Sequence, residues 1–96
     1  MEHDFSTGQF NNTKVSVAAT STTVLSHRSS RKYAVIVNDS NETIYLGVGE
    51  AAVLNEGIRL NANGGAWEIK GGHPYQGVIY AISTSGSKNV TVFEAY

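Results

Sequence analysis

The 96-residue sequence predicts an all-β domain, a small antiparallel β-sandwich or barrel of about seven to eight short strands with an extended N-terminal arm. Three observations lead there. From residue 13 onward, apolar residues recur with a period of two or in short β-branched runs. Turn-forming clusters interrupt them about every 8–12 residues. No stretch shows the 3.6-residue periodicity of an amphipathic helix, which removes an α/β reading.

Residues 1–12 (MEHDFSTGQFNN) are polar and aperiodic, apart from the two aromatics Phe5 and Phe10. Such a segment is either a frayed terminus or an arm whose phenylalanines dock on a neighbour. The domain proper then spans 13–96. Thr13–Ala19 alternates, with Val15, Val17 and Ala19 on one face, and Thr22–Ser26 continues as a short strand. Lys32–Asn38 (KYAVIVN) is a nearly continuous β-branched run, the pattern of a central strand covered on both faces.

Asp39-Ser40-Asn41-Glu42 is a turn cluster, because these side chains bond their own backbone, and Thr43–Val48 (TIYLGV) returns from it as the second arm of a hairpin. Gly49–Gly57 is one helical turn or a loop packed by Val53 and Leu54. Ile58–Asn61 and Ala66–Lys70 are short strands around Asn63-Gly64-Gly65, a tight-turn signal. Gly71-Gly72-His73-Pro74 breaks the chain again. Gly77–Ser83 and Asn89–Ala95 flank Thr84–Lys88 and read as a C-terminal hairpin.

Composition narrows the function. With no cysteine there is no disulfide, thiol nucleophile or thiolate metal site, so a domain this small gains from self-association. A formal charge of −1 argues against a nucleic-acid partner. No apolar run approaches the roughly 20 residues of a membrane span, and Met1-Glu2-His3-Asp4 does not open a Sec-type signal peptide. A soluble protein is expected, with nothing in the sequence directing its export.

Catalytic patterns are missing. His3, His27 and His73 have no metal-ligand spacing, no serine occupies a G-x-S-x-G elbow, and Gly47-Val48-Gly49 lacks the helix a dinucleotide site needs. Glu68 and Glu94, on separate strands, read as solvated strand faces. The Asp39–Glu42 oxygens lack the spacing of a calcium loop. The expectation is no enzyme, cofactor or metal. His27, Arg28, Arg31 and Lys32 form a basic cluster leading into the central strand, either a solvated loop or a contact with an acidic partner. Trp67 and the tyrosines Tyr33, Tyr45, Tyr75, Tyr80 and Tyr96 are candidates for a sugar-stacking platform, Trp67 and Tyr75 foremost, against the alternative of packing, and Tyr96 for an interface contact.

Several stretches together resemble small virion proteins of tailed bacteriophages, of the head decoration (cement) and head-fibre type. They are KVSVAATSTTVL, SRKYAVIVNDS, TIYLGVG, GIRLNANGGAWEI and GVIYAISTSGSKNVTVFEA. The resemblance implies a β-sandwich or barrel seated on the capsid surface, commonly a trimer, that bridges major capsid protein subunits and stabilises the shell. The partner-binding residues expected on this reading are Phe5, Phe10, His27, Arg28, Arg31, Lys32 and Tyr96. The alternative reading is a receptor- or carbohydrate-binding module of a phage fibre or surface protein.

Overall fold

A computed structural model describes residues 8–96; the Phe5 half of the expected arm therefore lies outside the described residues. Eight strands follow in order: β1 Phe10–Val17, β2 Thr22–Leu25, β3 Tyr33–Asn38, β4 Ile44–Val48, β5 Ile58–Leu60, β6 Ala66–Ile69, β7 Ile79–Ser83 and β8 Lys88–Ala95. They form two four-stranded antiparallel sheets, sheet I with order β1-β8-β3-β6 and sheet II with order β2-β7-β4-β5. Among the described residues there is no helix. The strand order is that of a jelly roll, in which almost every connection changes sheet.

The core fills the space between the sheets. Sheet I contributes Val17, Ala34, Ile36, Ile69, Val90 and Val92, and sheet II contributes Val24, Leu25, Ile44, Leu46, Leu60, Ile79 and Ala81. These positions follow the period of two, so the alternation seen in the sequence selects the inner face of each strand. A register irregularity between Thr23 and Leu25 lets two successive side chains, Val24 and Leu25, both turn inward.

Three expected pairings are corrected by the topology. β3 pairs with β6 and β8, not with β4, so the Asp39–Glu42 turn carries the chain from one sheet to the other. The turn at Asn63–Gly65 likewise leads from sheet II to sheet I, and the Thr84–Ser87 turn leads from β7 in sheet II to β8 in sheet I. Consecutive strands pair only in β4 and β5. Turn chemistry reports that the chain reverses; it does not report whether the returning strand lies beside or above its predecessor.

Buried polar side chains hold these crossovers. Asn38 is fully buried at the end of β3. Its amide donates to the Glu42 carbonyl (2.7 Å) and to the Leu60 carbonyl of sheet II (3.0 Å), while its oxygen accepts from the Ser40 backbone and hydroxyl. Ser83, also fully buried, donates toward the Val17 and Ala18 carbonyls and accepts from the Gly86 amide. Each satisfies backbone groups that a sheet ladder would otherwise have paired.

β1 begins earlier than its apolar alternation. Phe10–Asn12, expected in the arm, pair with Phe93–Ala95 of β8. Their side chains are exposed, because strand pairing there is carried by the backbone and needs no apolar face. β3 departs from expectation in a more consequential way. It is internal to sheet I, yet only Ala34, Ile36 and Asn38 are buried. Tyr33, Val35 and Val37 point to the outer face, which no other element covers among the described residues.

Candidate functional site

The basic loop divides sharply. Arg31 is 1% exposed, enclosed at the end of the sandwich. Its Nε donates to Glu94 Oε2 at 2.8 Å, Nη1 donates to the Tyr75 and Gly77 carbonyls, and Nη2 donates to the Ser26 carbonyl at 2.6 Å. The planar guanidinium thereby ties β8 to the loops before β3 and before β7. Backbone bonds from Arg28 N to Gln76 O and from Arg31 N to Arg28 O fix the same corner. Arg31 is spent inside its own chain and cannot reach a partner surface, which corrects its expected role. Glu94, expected on a solvated face, is 3% exposed and is the buried counter-ion.

Arg28 is half-buried. Its guanidinium carbon lies 3.6 Å from the centre of the Tyr96 ring, a cation–π contact. Its Nε lies 3.0 Å from Glu94 Oε2, but the N–H does not point at that oxygen, so the contact is an ion pair without a hydrogen bond. Tyr96 is held beneath Arg28 and through backbone bonds with Gln9. Of the cluster, His27 and Lys32 remain exposed, with the Lys32 amide bonded to the Ala95 carbonyl.

The second region is the outer face of sheet I. β1 contributes Phe10, Asn12 and Lys14, β8 contributes Thr91 and Phe93, and β3 contributes Tyr33, Val35 and Val37 by the strand registers. The Phe10 ring, on a residue 44% exposed, stacks at 6.0 Å on Phe93, which also meets Tyr33 at 5.9 Å. A shallow groove of about 560 Å³ runs between Lys14, Val35, Val37, Thr91 and Phe93. Toward β6, the Tyr33 hydroxyl donates to Glu68, and Glu68 pairs with Lys70 at 3.5 Å. That hydrogen bond, then partial burial and the carboxylate's charge, pushes the Tyr33 phenol up to about 12. The same bond, with the Lys70 charge, holds Glu68 below its ordinary value.

Other expected sites resolve differently. Trp67 lies opposite Ile36 on the inner side of sheet I, and both Trp67 and Tyr75 pack against the core. Tyr75 also donates its hydroxyl to the Val78 carbonyl. Both rings are thus partly taken up in packing. Among the described residues no three His, Asp or Glu side chains converge as metal ligands. Neither a family model, a curated protein nor a solved structure matches the chain. A jelly roll supports many unrelated activities, so any function has to be argued from the surface.

The sequence reading left Lys14, Val35, Val37 and Phe93 out of the candidate site. The signal was present in one place. An uninterrupted YAVIV run is the composition of a strand covered on two faces, and the fold supplies one cover.

Proposed function

We propose that this chain is a structural virion protein of the head decoration (cement) type. In this reading it binds the outer capsid surface, associates with itself as a trimer and bridges major capsid protein subunits, performing no catalysis. The observation that carries the proposal is the apolar, aromatic-centred outer face of sheet I. Burying such a face against protein is favourable in proportion to the area removed from water, at about 25 cal/mol per Å². A surface of this kind, on a domain with little net charge, suits dense packing of many copies.

Two further points support the reading. The stretches that resemble decoration proteins include β3 and β8, the two central strands of that face. Jelly rolls also recur among viral capsid domains, which is an argument from analogy. His27 and Lys32, exposed beside the same sheet, are the loop residues left to contact an acidic capsid surface.

The test is made on virions of the source phage. Mass spectrometry of purified particles is expected to find the chain in a fixed ratio to the major capsid protein. Particles deprived of it are expected to lose their DNA at lower temperature. Virions that lack the chain, or shells equally heat-resistant without it, refute the proposal.

A further inference from the structure

The exposed large apolar side chains of the described residues fall in two separate places. Phe10 belongs to the outer face of sheet I, while Val48, Val53 and Leu54 surround the loop between β4 and β5 at residues 49–57. The first place is an open groove; in the second, exposed Val53 and Leu54 stand at the edge of a smaller pocket lined by the loop. Val53 is 47% and Leu54 36% exposed.

The loop is held in shape by its own chain. The Ala52 amide donates to Ser21 Oγ at 2.9 Å, the Tyr45 hydroxyl donates to Asn55 Oδ1 at 3.0 Å, and the Glu56 amide donates to the Val53 carbonyl. Gly57 has φ of +79°, and a Cβ there would lie 2.2 Å from the Leu46 carbonyl oxygen, so the return into β5 admits only glycine. A loop fixed in this way loses little freedom when its exposed side chains are buried.

The two places also differ in charge. The groove is bordered by Lys14, and the loop by Glu50 and Glu56. None of the three forms an ion pair among the described residues. On the far side of the groove, Glu68 and Lys70 neutralise each other. Arg59 stands opposite Tyr45 on the outer face of sheet II, next to the loop but outside the pocket that Glu50 and Glu56 line.

From this complementarity we infer that the β4–β5 loop of one copy seats in the sheet I groove of the next. Val53 and Leu54 meet Val35, Val37 and Phe93, and Lys14 faces Glu50 and Glu56. A contact of groove against groove would leave the loop's apolar side chains in water, whereas a contact of loop in groove covers both places. Repeated loop-in-groove contacts close when the rotation permits, as a reciprocal two-fold dimer or as a larger ring such as the trimer. The inference takes from the proposed function only that the chain is an assembly subunit.

The experiment is sedimentation of the purified full chain, with circular dichroism confirming that each variant is folded. The wild type is expected to associate at micromolar concentration, less so at high salt. Lys14→Glu alone, and Glu50→Lys with Glu56→Lys, are each expected to weaken association about tenfold or more. Combining all three substitutions is expected to restore it. Val53→Ser, on an exposed loop position, is expected to weaken association without touching either charge. A monomeric wild type, variants that associate like the wild type, or a combined variant no better than its parents overturns the inference. Rescue by the charge exchange in a chain absent from virions would sustain this contact and refute the capsid reading.

Discussion

The basic loop and the outer face of sheet I invert what their sequences suggest. The loop has the composition of a contact surface, yet Arg31 is enclosed, Arg28 lies over Tyr96, and both address Glu94. The YAVIV strand has the composition of an interior, yet Tyr33, Val35 and Val37 look outward. Charge density along the chain thus reports neither exposure nor availability. What decides is whether the fold brings a counter-ion to the charge and a second layer to the apolar face.

The largest effect that separates the two regions is expected at Arg31. Arg31→Ala leaves Glu94 buried without its partner and removes donors from the Ser26, Tyr75 and Gly77 carbonyls. The expected loss is about 3–5 kcal/mol, measured by urea unfolding. Replacing the ion pair by Arg31→Met with Glu94→Leu is expected to recover only part of it, because those three carbonyls still lack donors. Full recovery would mean that the pair alone holds the corner.

Arg28→Ala sharpens the contrast, three positions away. It removes a cation–π contact and an ion pair from a side chain that is 35% exposed, and the expected loss is about 1 kcal/mol or less. Equal losses at Arg28 and Arg31 would contradict the division of the loop into a buried and a surface half.

Smaller effects come from pH. With its folded value raised to about 12 against an ordinary 10.0, Tyr33 adds stability that is complete below pH 10 and is lost as pH rises toward 12. In a tyrosinate absorbance titration, one phenol is expected to ionise near 12, and Glu68→Gln to bring it down. Glu42 shows the opposite sign. Hydrogen bonds from Ser85 and Thr84 hold its carboxyl below 4.5, so its contribution is present above that value and fades as pH falls through the folded value. Ser85→Ala is expected to raise the Glu42 value in a carboxyl NMR titration, with scarcely any change in unfolding midpoint.

The all-β class, a count of seven to eight strands and most strand positions were legible because burial in a sandwich imposes a period of two on each strand. The pairing was less so. Asp39–Glu42 and Asn63–Gly65 carry turn residues that serve a hairpin and a sheet-to-sheet crossover equally well. The deciding contact, from Asn38 to the Leu60 carbonyl, spans 22 positions. Glu94 was missed for a related reason: in NVTVFEA it continues the inward alternation of Val90 and Val92. A carboxylate at an inward position signals burial only once the Arg31 side chain, 63 residues earlier, is known to meet it.

The outer face of sheet I as the surface through which this protein associates is tested most directly by one substitution. Val35 lies in the groove on the outer face of β3, opposite Glu68 on β6, so Val35→Lys removes apolar surface from the groove and places a charge there without touching the core. Sedimentation velocity of wild type and Val35→Lys side by side is expected to give a multiple of 10.3 kDa for the first and the monomer mass for the second, with equal unfolding midpoints. Two monomers, or two oligomers of the same strength, would contradict the assignment of that face.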